Sequence, residues 1–193
     1  MIPLVFHPIY SQLDLPHRHR FPIEKYQGIY DALIKLGVDC ANFHTPQALD
    51  PSYLTQIYDH DYIHQLCSGQ LDPKAMRRIG FPWSEQLIQR TLTAAAGTVL
   101  TAELAMEHGK ALNLTGGYHH AFADFGSGFC MVNDLYLAAK TMLINPDIDS
   151  VLIFDSIVDN FDEVEIDIVK KQYGQIGGPN QTLFEFIEED KMD

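Results

Sequence analysis

Two adjacent histidines, His119 and His120, follow the glycine pair Gly116-Gly117 and precede a second glycine-rich turn, Gly126-Ser127-Gly128. Phe129-Cys130 and Asn133-Asp134 come next. Neighbouring imidazoles suit proton work near neutral pH, one holding a proton while the other takes one. On an irregular loop both rings can face one cavity, which the alternation of a strand forbids. Gly116 and Gly117 tolerate positive φ, so the chain can turn sharply before the pair. An isolated His-His pair reads as well as a surface dipeptide. The flanking glycines, Phe129-Cys130 and Asn133-Asp134 favour a site.

The neighbouring segments say what positions this loop. Residues 111–115 read as a short strand and 133–144 as a helix. Strand, loop, helix is how an α/β fold presents reactive side chains at the carboxyl end of its sheet. Residues 150–155 read as a buried parallel strand, four apolar residues in a row and then Asp155. Earlier, residues 2–7 and 40–44 read as strands, and 17–22 as a loop. Helical spacing covers 25–36, closed by Gly37, then 51–58, 61–67 and 72–78. The longest helix starts at Ser84, runs to about 107 and closes at Gly109, with a small centre, Ala94-Ala95-Ala96-Gly97. These elements predict one α/β domain, three-layered, with a mostly parallel sheet. In the acidic tail, residues 163–173 and 182–190 read as helices separated by a turn over 176–180.

A chain of 193 residues with a formal charge of -13 is long enough for one domain with a real core. The negative balance argues against a nucleic-acid surface and fits a cavity that attracts cationic ligands. Cys40, Cys67 and Cys130 lack metal-ligand spacing and read as thiols of a reducing, cytoplasmic compartment. The first residues lack the basic and apolar regions of a signal peptide. The longest apolar tract, 93–106, carries Glu103 and is too short to span a bilayer, so no membrane is expected. His60 and His64 are four apart, which places both on one helix face. They read as surface residues or as two ligands of a metal ion, without a HExxH glutamate.

The phrase Gly-Gly-x-His-His-Ala, then Gly-Phe-Cys, then Asn-Asp resembles the active-site loop of the histone deacetylase family, including its bacterial members. The resemblance implies part of the arginase/deacetylase fold over residues 1–155. It makes His119 an electrostatic or acid residue and His120 the general base for a zinc-bound water. It makes Gly128 and Phe129 the wall of a narrow tunnel for an acetyl-lysine side chain or a related acylated amine, with Cys130 beside it. His19-Arg20-Phe21-Pro22 before Lys25-Tyr26 resembles the opening of bacterial members, in which the arginine lies at the inner end of the pocket. Arg20 is then a carboxylate partner; read without the family it belongs to a solvated turn.

The strand at 150–155 departs from that pattern. The family runs into Asp-x-Asp-x-His-x-Gly-Asp-Gly, whose second Asp and His bind zinc. Here the chain reads Asp155-Ser156-Ile157-Val158-Asp159-Asn160-Phe161-Asp162. By resemblance Asp155 and Asp162 keep the outer acids, which orient the paired histidines, and Asp155 helps to hold a potassium ion. The zinc positions become Ile157, which has no donor atom, and Asp159, an acceptable but solitary ligand. A new metal site from His119 or His120 with Asp155 and Asp159 is a weaker alternative. The third zinc ligand and the carbonyl-polarising tyrosine of the family are expected beyond what this sequence carries, and 156–193 reads as a divergent, acidic, helical tail.

Zinc is what lets the family cleave an unactivated amide, since it lowers the pKa of bound water to about 7 and acts as a Lewis acid. Two histidines alone supply acid–base help of about a hundred- to ten-thousand-fold. The sequence therefore predicts a deacetylase-like chain without hydrolytic activity of its own, or a non-catalytic binding or oligomerising scaffold. Half of a parallel sheet leaves an edge after residue 155, which would recruit the tail or a second copy.

Overall fold

A three-stranded parallel sheet of order β2-β1-β3 forms the centre, built from β1 (Leu4–Val5), β2 (Phe43–His44) and β3 (Leu112–Asn113). Leu4 stands opposite Phe43 and Leu112, and Val5 opposite His44 and Asn113. The computed structural model describes residues 2–157 and 183–188, the backbone alone from residue 154 onward. Leu4 and Val5 are both buried, as a central parallel strand covered on two faces must be.

The crossover from β1 to β2 contains α1 (Lys25–Lys35). The crossover to β3 contains α2 (Pro51–Leu54), α3 (His60–Ser68), α4 (Pro73–Ile79) and the long α5 (Glu85–His108). After the histidine loop come α6 (Asp134–Met142), then β4 (Leu152–Ile157) and β5 (Leu183–Glu188). Asp50, Asp59, Asp72, Ser84 and Asn133 each cap the helix they precede by accepting a backbone N–H of its first turn. Such caps contribute typically about 1 kcal/mol each, which matters most for the short α2 and α4.

α5 is buried around most of its circumference, so it separates two cores. Leu87, Ile88, Leu92, Ala95, Val99 and Ala102 face the larger one, with α3 and α6 contributing Ile63, Leu66, Leu137 and Met142. Ala94 faces the smaller one, made by Phe6, Tyr10, Tyr26, Tyr118, Ala121 and Cys130. The small centre of the helix is needed there: a Cβ on Gly97 would overlap the Tyr10 hydroxyl. Three of the seven residues of the smaller core lie in or beside the histidine loop, so the loop packs as part of the protein interior.

β1, β2 and β3 are shorter than the sequence suggests, while β4 keeps six residues. Residues 40–42 form a 3-10 turn capped by Asp39, and only Phe43 and His44 pair in β2. Likewise α2 stops at Leu54 rather than continuing to 58. The helix expected over 182–190 is a correction: Leu183–Glu188 is a strand, parallel to β4 with Leu152 opposite Leu183 and Ile157 opposite Glu188. Phenylalanine and isoleucine favour a pleated surface, and the unpaired edge of β4 offers six residues of ladder. The tail is therefore not wholly helical, while the helix expected over 163–173 lies outside the described residues.

Candidate functional site

The histidine loop is held from both ends. Asp134, the first residue of α6, is fully buried. Its Oδ1 accepts the backbone N–H of Tyr118 at 2.8 Å, and its Oδ2 accepts that of Gly117 at 3.2 Å. The Thr98 hydroxyl of α5 donates to Oδ2 as well and accepts from Asn113 Nδ2 of β3 at 3.2 Å. One carboxylate thus ties β3, α5 and α6 to the two residues before the histidine pair. Burial raises the Asp134 pKa above the usual carboxylate value, and the hydrogen bonds from Thr98, Tyr118 and Gly117 offset part of the rise.

Tyr118 is the second anchor. Its hydroxyl is 2.7 Å from Thr115 Oγ1 and accepts from Arg90 Nη2 at 3.3 Å. Arg90 is itself buried, donates Nε to the Tyr10 carbonyl at 2.8 Å and lies over the Phe21 and Tyr26 rings. Burial raises the Tyr118 pKa, so this phenol stays neutral.

With the chain fixed at 117 and 118, the two imidazoles lie side by side, ring centroids 3.9 Å apart and planes at 49°. His119 is half-buried and His120 exposed. His119 Nδ1 is 3.0 Å from the Gly117 carbonyl oxygen. A carbonyl only accepts, so Nδ1 carries the proton and, in the neutral ring, Nε2 carries the lone pair. The Gly117 carbonyl thereby fixes the tautomer of the ring. Gly128, with φ of +52°, lies against the His120 ring, where an added Cβ would approach to 3.3 Å. The Ser127 hydroxyl donates to the His120 carbonyl at 2.8 Å.

The second glycine turn is clamped by the end of α4. The Gly128 and Phe129 N–H groups donate to the Arg78 and Ile79 carbonyls at 3.2 and 2.7 Å. Arg78 Nε donates in return to the Gly126 carbonyl at 3.0 Å, and its guanidinium covers the Phe125 ring at 4.3 Å. Phe129 adopts a left-handed φ of +65° and packs among His19, Phe21 and Phe81. Cys130 is buried beside it, its thiol 3.4 Å from the Gly128 carbonyl.

His119, His120 and Gly128 thus meet at one place, with Phe129 and Cys130 on the same turn. Arg20 is exposed on its loop. Its neighbour His19 makes the inward contacts, hydrogen-bonding the Gly80 carbonyl through Nε2 at 2.9 Å and stacking on Phe81. Asp155 lies in β4, where the backbone alone is described, and Asp159 and Asp162 lie outside the described residues. His60 and His64 are exposed on α3 and line a groove that includes none of the loop residues, although the Asp59 N–H before them donates to the Ala123 carbonyl of the loop at 2.8 Å. Among the described residues no three His, Cys, Asp or Glu side chains converge as a metal site, and no helix is long and apolar enough to cross a membrane. Sequence pattern marks Asp134 as part of a phrase but not its role, and it does not single out Arg90, Arg78 or Tyr118. The sole signal is the Asn-Asp that follows Gly-Phe-Cys.

The model of the histone deacetylase domain matches residues 19–159. The chain belongs to the histone deacetylase family. An uncharacterised protein of the cyanobacterium Picosynechococcus is 48% identical over 141 residues, which are 72% of this chain and 47% of that protein. The acetoin utilization protein AcuC of Bacillus subtilis is 27% identical over 70% of this chain and 38% of its own length. Among solved structures, a histone deacetylase homologue from Aquifex aeolicus shares the fold with a TM-score of 0.60 at 22% identity, over 75% of this chain and 42% of that one. The chain spans about half, or less, of the length of these relatives.

Proposed function

We propose that this chain carries the substrate-holding and proton-handling part of a deacetylase for acetyl-lysine or a related acylated amine, and that these 193 residues do not hydrolyse the amide by themselves. The observation that carries the reading is the His119–His120 pair, fixed 3.9 Å apart by a loop whose backbone is bonded to the buried Asp134. The family sequence around that pair supports the substrate class.

The donor set does not fit the zinc ion that the family uses. Ile157 stands at one expected ligand position and offers no donor atom. Asp159 stands at the other and supplies a single carboxylate. What the chain's own residues supply is narrower. His119 keeps its proton on Nδ1 through the Gly117 carbonyl, which leaves Nε2 as its basic atom. His120 lies exposed beside Gly128, where an entering amide would meet it. Acid–base help of this kind lowers a barrier by about 3–5 kcal/mol, far below the demand of an unactivated amide.

The test is turnover of an acetyl-lysine reporter with and without added zinc, beside titration of an acetyl-lysine peptide. The expected result is binding without hydrolysis. Zinc-dependent hydrolysis that disappears in His120→Ala would overturn the assignment of inactivity. A second reading, an oligomerising scaffold, rests on the outer edges that the two-stranded β4–β5 ladder keeps among the described residues, since it stands apart from the three-stranded sheet. Sizing of the purified chain separates it from a monomeric binder.

A further inference from the structure

We propose that His60 and His64 on α3 form a two-imidazole site for a borderline divalent ion such as zinc or copper, separate from the histidine loop. Both side chains line one open groove of about 380 Å³, together with Pro51, Ser52, Thr55 and Cys67. Residues four apart on a helix stand one above the other, with Cβ atoms about 5–6 Å apart. A helical His-x-x-x-His can therefore chelate one ion without rearranging the backbone.

The helix that carries them is rigidly placed. Its Tyr62, Ile63 and Leu66 side chains are buried in the larger core. Its start is capped by the Asp59 carboxylate on the Tyr62 N–H at 2.9 Å, and it ends on the left-handed Gly69. The two imidazoles therefore lose little backbone freedom on binding. Both are exposed, so an ion reaches them without opening the fold.

Local charge favours a cation. The Asp61 carboxylate lies 3.9 Å from His60 Nδ1, and the chain as a whole carries -13. No three donors converge among the described residues, so the protein supplies two ligands and water completes the shell. Imidazole suits zinc, copper and nickel rather than magnesium or calcium, which prefer oxygen. The groove thus selects by ligand type, and copper binds more tightly than zinc by the usual order of divalent affinities.

The experiment titrates zinc chloride into the full chain and follows the histidine ring resonances by NMR, with calorimetry for affinity. The expected result is that the His60 and His64 rings shift together at the first equivalent. His60→Ala and His64→Ala then each weaken this binding at least tenfold, while His119→Ala leaves it within twofold. Both substituted side chains are exposed, so the variants fold, and magnesium chloride produces no shift. Unshifted His60 and His64 rings at millimolar zinc would overturn the proposal, as would unchanged affinity in both α3 variants. The readout is independent of amide hydrolysis and of the His119–His120 pair.

Discussion

Asp134 Oδ1 accepts the backbone N–H of Tyr118 at 2.8 Å, so the residue before the histidine pair is bonded to the first turn of α6. The same carboxylate serves Gly117 and Thr98. Removing it leaves two backbone N–H groups and a hydroxyl without their acceptor in the interior. Each stranded donor costs about 1–3 kcal/mol, although the costs do not simply add. Asp134→Ala is expected to lower the stability measured by urea unfolding by about 3 kcal/mol or more. It should also speed amide exchange at Gly117 and Tyr118 more than in β1. Asp134→Asn keeps the volume but turns an N–H group toward a donor, so it should recover only part of the loss.

His7 gives a pH dependence with a definite sign. Burial lowers its pKa below 6.5, and its Nδ1 accepts the Ile9 N–H at 3.0 Å at the start of a 3-10 turn. Protonation removes that lone pair and breaks the cap. Below the unfolded value of about 6.5 the unfolded chain binds more protons at this residue than the folded one. Stability is therefore expected to fall as pH drops from about 6.5 toward the lowered folded value. His7→Asn keeps a cap acceptor without the titration, and thermal melts across that window should be flatter for the variant than for the parent.

The turn between the histidines and α6 depends on a small residue at 126. A Cβ on Gly126 would overlap the Cys130 carbonyl oxygen and approach the Tyr62 hydroxyl to 2.9 Å. Tyr62 cannot yield easily, because its hydroxyl donates to the Met131 carbonyl at 2.6 Å inside the core. Overpacking of this kind costs about 1–3 kcal/mol. Gly126→Ala should lower the melting temperature and perturb the His120 ring resonances. A parent-like spectrum with unchanged melting would contradict the packing described for this turn.

The sequence is most readable where one local rule acts alone. α5 is legible because Ser84, a long apolar run and Gly109 agree on both ends and content. The histidine loop is legible because its glycines and imidazoles form one contiguous phrase. The role of Asp134 is not, because its partners Thr98, Gly117 and Tyr118 meet it only through packing of α5 against the loop, with Asn113 of β3 bonded in turn to Thr98. The short strands escape for the same reason: two-residue ladders such as Leu4 with Phe43 and Leu112 are set by neighbours, not by alternation along the chain. At residues 183–188 a helical reading loses to a strand because β4 offers an edge to pair with.

That edge supplies the last prediction. β5 pairs with β4 over six positions, Asp155 opposite Phe186 and Phe154 opposite Glu185. In a parallel ladder, successive N–H groups point to opposite sides of the strand, so of two adjacent residues one donates toward β4. Proline has no N–H to donate and is not tolerated inside a ladder. Of Glu185→Pro and Phe186→Pro, one should therefore break the pairing and the other should perturb it less. The disruptive variant would uncover the β4 edge, whose free backbone groups recruit other chains. It is expected to sediment as larger species at concentrations where the parent does not, and to bind a strand-edge dye more strongly. Equal, parent-like behaviour of both variants would mean that β5 contributes nothing to covering β4, and a second copy of the chain would then be the better candidate for its partner.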